Sequence, residues 1–67
     1  MRIIRLKQVI ETTGLARSTI YKYIDENTFP KPVPLGDRAV GWVEEEVVDW
    51  VLSRVEMRDA ALSASTA

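Results

Sequence analysis

Gly14 stands between two short stretches whose apolar residues recur at helical spacing, and this arrangement constrains the chain more than any other feature. Leu6, Val9 and Ile10 fall three and four residues apart, the spacing of one helix face, and predict a first helix over Leu6 to Thr13. Glycine adopts positive φ without steric cost, so the chain can turn sharply there and begin again. The second helix is predicted to start at Ala16 or Arg17 and to end near Asn27. On its wheel Ile20, Tyr23, Ile24 and Asn27 share one side, with Ala16 beside them. Arg17 and Tyr21 flank that side, while Ser18, Lys22 and Asp25 point away. Two short helices joined by a tight turn make a helix-turn-helix, whose second helix lies in the major groove of DNA in proteins that read it.

The first two turns of the second helix therefore hold the candidate DNA contacts. Arg17, Ser18, Tyr21 and Lys22 can all hydrogen-bond phosphates or base edges. Thr19 is a further candidate, although its hydroxyl equally suits a local bond at the helix start. The plainer alternative for Arg17, Ser18 and Lys22 is a solvated helix face, and for the flanking Tyr21 a packed ring that offers only its hydroxyl to a phosphate. Asp25 and Glu26 fall in the last turn, where they oppose the helix dipole and repel phosphate. Only the N-terminal half is expected to approach DNA.

Phe29-Pro30-Lys31-Pro32-Val33-Pro34-Leu35 cannot be helical, because alternate prolines remove backbone donors and favour extended chain. Gly36-Asp37-Arg38 reads as a turn and Ala39-Val40-Gly41-Trp42-Val43 as a returning strand. The result is a hairpin, or wing, whose prolines suit an edge strand. Arg38 near its tip could enter a minor groove or hold a phosphate. Lys31 is a phosphate contact or a charge that keeps the edge soluble; Arg5 and Lys7 add phosphate contacts or serve the general positive field. Met1 to Arg5 is β-prone, a strand or an arm that drops Ile4 into the core.

Glu44-Glu45-Glu46 opens a third helix, with negative charge at the positive end of its dipole. Consecutive residues on a helix diverge, so the three carboxylates do not converge on a metal ion. Val47, Trp50, Val51 and Arg54 form a core stripe. Trp42 and Trp50 are read as core residues rather than as stacking platforms for single-stranded bases. Val48, Leu52 and Val55 form a second apolar stripe offset by roughly 100°. Either the N-terminal segment covers it or it meets a partner, such as another copy of the chain. The stretch from Met57 to Ala67 is rich in Ala and Ser with little to anchor it, so the expected division is a domain over 1–56 and a tail over 57–67. The fold class predicted is mainly α with a small β-hairpin, a winged helix-turn-helix of three helices and a two-stranded wing.

At 67 residues the chain makes one small domain with no room for a catalytic cleft. It has no cysteine and no histidine, so thiolate sites, disulfides and the commonest general base are excluded. An enzyme is not expected, nor is a cofactor, a metal or a small-molecule substrate. No apolar run is long enough for a membrane span, and a cytoplasmic setting fits best. The net charge of −1 argues against nucleic acid until its distribution is seen. Residues 1–42 carry seven Lys/Arg against four acids, a net +3, and residues 43–67 carry two against six, a net −4. DNA responds to the field within about 8–10 Å, so a basic face can bind despite an acidic rear.

Four blocks in order resemble the AlpA family of phage and prophage regulators, small winged helix-turn-helix proteins related to excisionases and MerR-type DNA-binding domains. They are Arg5-Leu6-Lys7-Gln8-Val9; Thr13-Gly14-Leu15-Ala16-Arg17-Ser18-Thr19-Ile20-Tyr21; Phe29-Pro30-Lys31-Pro32-Val33 with Leu35-Gly36; and Val40-Gly41-Trp42-Val43-Glu44-Glu45-Glu46-Val47-Val48-Asp49-Trp50-Val51. The resemblance covers residues 3 to about 55. It implies a bacterial cytoplasmic protein that binds double-stranded DNA in a sequence-specific way and regulates transcription in an integrated element. Excisionase activity is the alternative implied, with an integrase as partner; inhibition of another protein through the acidic third helix is a reading of a different class. One departure is Ala16, where the family often has Ser. A serine there could cap the second helix, and its absence is a deficit of about 0.5–2 kcal/mol.

Overall fold

The computed structural model describes residues 1–66. Six elements follow in order: β1 (Ile3–Ile4), α1 (Leu6–Thr13), α2 (Arg17–Asp25), β2 (Val33–Pro34), β3 (Val40–Val43) and α3 (Glu44–Thr66).

The α1 helix starts where the Arg5 N–H donates to Gln8 Oε1 at 3.0 Å, and it ends at Gly14 with φ 72°. Thr13 makes the turn specific: its hydroxyl donates to the Val9 carbonyl at 2.8 Å and accepts the Leu15 N–H at 3.2 Å. At the far end α2 stops at Asp25, two residues short of the expected Asn27. Asn27 takes φ 60°, its N–H donates to the Ile24 carbonyl at 3.0 Å, and the Thr28 N–H donates to the Tyr23 carbonyl at 2.9 Å. This pair of bonds is a Schellman closure, with asparagine in the left-handed position that glycine more often fills. Asn27 consequently leaves the inward face on which helical spacing placed it and is exposed.

The wing forms as expected. Leu35 N–H donates to the Ala39 carbonyl at 2.7 Å and closes the turn, and β2 pairs antiparallel with β3. The sheet has three strands rather than the hairpin's two, because β1 joins the other side of β3 and gives the order β1-β3-β2. Ile4 faces Trp42 across this pair, and both side chains are buried. On the opposite face a Cβ at Gly41 would run into Ile3 Cγ2 and come within 3.0 Å of Leu35 Cδ1. The central strand has a glycine there because neighbouring side chains close over it.

The core consists of Ile4, Val9, Ile20, Phe29, Trp42 and Val47, with Leu6, Ile10, Leu15, Tyr21, Tyr23, Ile24, Val40 and Trp50 packed around it. Trp42 is fully buried and donates Nε1–H to the Pro30 carbonyl at 3.1 Å. Trp50 is half-buried, not sealed, and donates Nε1–H to the Thr28 carbonyl. Strand β3 runs into α3 without a loop. The start of α3 is tied to β1: the Glu44 N–H donates to the Arg2 carbonyl, and the Arg2 guanidinium lies 3.6 Å from the Glu44 carboxylate. Val48, Leu52 and Val55 stay exposed at 40%, 51% and 37%, so the N-terminal segment does not cover the second stripe. The stretch that follows Met57 continues α3 to Thr66, as its alanines permit. Ala67, the end of the expected tail, lies outside the described residues.

Candidate nucleic-acid interface

The site is built on the first two turns of α2. Ile20 points into the core and is fully buried, which fixes the rotation of the helix and turns Arg17, Ser18 and Lys22 outward, all three exposed. None of these three side chains has a hydrogen bond or ion pair among the described residues. Two cations and a hydroxyl thus share one edge with their donors free, which suits phosphate oxygens and base edges. Thr19 is half-buried, and among the described residues neither its hydroxyl nor any other side chain caps the start of α2.

That missing cap has a consequence that helical spacing alone does not suggest. The first backbone bond of α2 runs from the Ile20 N–H to the Ala16 carbonyl at 3.0 Å. The N–H groups of Arg17, Ser18 and Thr19 have no partner among the described residues. They add backbone donors and the positive end of the helix dipole to the cationic edge. Ala16, in the place where a serine would compete for those groups, is the signal in the sequence that could have shown it.

Tyr21 is half-buried rather than at the surface. Its ring packs on that of Trp42 in a T-shaped pair, with centroids 6.4 Å apart and planes at 68°, and the Arg17 guanidinium lies 5.9 Å from the Tyr21 ring centroid. Lys31 follows Pro30, whose carbonyl Trp42 holds, so the entry to the wing is attached to the strand behind α2. Arg38 sits in the turn at the far end of the hairpin, exposed and with no ion pair among the described residues. Asp25 and Glu26 lie at the far end of α2 and Asp37 stands beside Arg38 in the turn, while Glu44, Glu45 and Glu46 open α3, where Glu44 pairs with Arg2 and Glu45 with the N-terminal amine.

The family described as Prophage CP4-57 regulatory protein (AlpA) matches residues 2–55, the whole span from β1 through the packed part of α3. The chain belongs to the AlpA family. It is 41% identical to the DNA-binding transcriptional activator AlpA of Escherichia coli K12, an alignment covering 85% of this chain and 90% of that one. It is also 38% identical to the uncharacterized protein ORF88 of Enterobacteria phage P4, over 94% of this chain and 72% of the phage protein. The AlpA-family match includes every candidate contact named above, from Arg17 to Arg38.

Proposed function

We propose that this AlpA-family chain is a sequence-specific double-stranded DNA-binding transcriptional regulator of a prophage or other integrated element. The observation that carries the reading is the exposed edge of Arg17, Ser18 and Lys22, without side-chain hydrogen bonds or ion pairs among the described residues, on a helix whose N-terminal amides have no partner among them either. In this reading α2 enters the major groove with Arg17 and Ser18 toward base edges, Lys22 on phosphate, and Thr19 and Tyr21 at the margin. Lys31 and Arg38 of the wing contact the backbone or the adjacent minor groove. The DNA-binding activator among its relatives supports the same class. The binding unit is residues 1–56, with 57–67 leaving it as a tail. The protein acts in the cytoplasm, as a binder without cofactor rather than as an enzyme. No helix among the described residues is long and apolar enough to cross a membrane.

The test is selection from random duplex pools at two salt concentrations, for the natural chain and for Arg17→Ala combined with Lys22→Ala. The expected result is an enriched motif that the double variant loses, with a slope of log K against log salt shallower by about 1–2. No enrichment, together with no effect of the substitutions, would sink the reading.

A second reading is favoured by the exposed Val48, Leu52 and Val55 on an acidic helix. There the chain assists an integrase as an excisionase, or restrains a protein partner, with that stripe meeting the partner or another copy. Enriched motifs repeated beside an attachment site, and loss of recombination in Leu52→Glu with DNA binding intact, would favour it. Motifs at a promoter and an indifferent Leu52→Glu would count against it.

A further inference from the structure

Arg17 is exposed, yet its guanidinium is not left to wander. Tyr21 follows it by one helical turn, the spacing at which side chains on a helix meet, and the guanidinium lies 5.9 Å from the ring centroid. The same ring pairs with Trp42 in a T-shaped contact, and Trp42 is fully buried and tied through Nε1–H to the Pro30 carbonyl at the entry to the wing. Four groups from α2, β3 and the wing's approach are therefore connected in series.

A ring face attracts a cation through its quadrupole and engages none of the guanidinium's five N–H donors. A carboxylate would occupy them, as Asp59 does for Arg58 at 2.9 Å. The ring thus orients the arginine while leaving open the planar fork that matches the acceptor pair of guanine. An arginine already ordered loses less freedom when it docks.

We propose that Tyr21 is a positioning residue: its ring holds Arg17 ready for a base edge, and Trp42 registers that stack against the wing. This rests on the reading that α2 enters DNA. It assigns Tyr21 a role through its ring, where a phosphate contact would work through its hydroxyl.

The test compares Tyr21→Leu, which removes the ring, with Tyr21→Phe, which removes only the hydroxyl. One readout is the affinity ratio between the duplex that the natural chain enriches from a random pool and a scrambled duplex of the same length. The other is the ring-current shift of the Arg17 Hδ protons in the free protein. Tyr21→Leu is expected to lower the ratio by about 5-fold to 10-fold and to abolish the shift, and Tyr21→Phe to restore most of both. A Phe variant as poor as the Leu variant would overturn the proposal in favour of the hydroxyl. Arg17 Hδ protons at random-coil positions in the natural chain would overturn it as well. If Tyr21→Leu melts below the assay temperature, the Phe ratio and the natural chain's shift decide on the same terms. Arg17→Ala and Lys22→Ala separate the two levels. If neither weakens binding, the parent reading falls and takes this one with it; if both do while a folded Tyr21→Leu keeps the ratio, only the positioning role falls.

Discussion

The α2 helix contributes a tyrosine to each of two arginine–aromatic clusters, and the two clusters are put together differently. Tyr21 and Tyr23 are two positions apart, so their rings leave the helix on nearly opposite sides. Tyr21 pairs with Trp42 at 6.4 Å and with Arg17 at 5.9 Å, and Arg17 meets that one ring among the described residues. Tyr23 lies 6.2 Å from Trp50, and Arg54 of α3 reaches both, 4.8 Å from the Trp50 centroid and 5.9 Å from that of Tyr23. Phe29 backs the second cluster with its ring 4.9 Å from Trp50, and Arg54 Nη1 also points to Met57 Sδ at 4.0 Å. Arg54, although exposed, meets two rings and so fastens α3 to α2. Arg17 meets one ring. The same residue types therefore build a joint in one place and a presented group in the other, and the number of rings around the arginine makes the difference.

The largest expected effect tests the tryptophans behind the two clusters. Trp42→Ala should cost about 3–5 kcal/mol, comparable to the whole stability of so small a domain, and leave it largely unfolded at room temperature. Trp50→Ala, with its half-exposed ring, should cost about 2 kcal/mol and leave a cooperative urea transition at a lower midpoint. Equal losses would break the contrast between a sealed and an open cluster. The arginines come next, and they should separate stability from binding. Arg17→Ala should weaken binding to the selected duplex by about 1–3 kcal/mol and shift unfolding by less than about 0.5 kcal/mol. Arg54→Ala should do the reverse, lowering stability by about 1 kcal/mol with little change in DNA affinity. The smallest effect concerns the uncapped helix between them. Ala16→Ser should raise stability by about 0.5–1 kcal/mol in thermal unfolding by giving α2 a hydroxyl cap. An unchanged midpoint would show that solvent already serves those amides as well as a serine does.

Much of this was legible from local pattern. The spacing of Leu6, Val9 and Ile10 and the glycine after Thr13 set the limits of α1, and the alternate prolines with Gly36-Asp37-Arg38 marked the wing. The outward placement of Ser18 and Lys22 followed from the periodicity of α2, which set Arg17 on the flank of the inward side. What escaped depends on contacts across the chain or on competing local signals. The β-prone stretch from Met1 to Arg5 left strand and arm both open, and only β3 beside it decides for a strand. Asn27 fits the helical period as an inward residue, but its tolerance of positive φ ended the helix instead. The flanking position of Tyr21 allowed its ring to pack, but that it packs on Trp42, far along the chain, needs the fold.

The junction between Val43 and Glu44 also has a mechanical meaning. The strand that carries Trp42 and pairs with the wing becomes, without an intervening loop, a helix roughly 34 Å long. A lever that rigid has no hinge at its base to absorb a load. Whatever takes hold of α3 along Val48, Leu52 and Val55 pulls on the sheet itself, and torque applied at the acidic end of the molecule is delivered to the basic one.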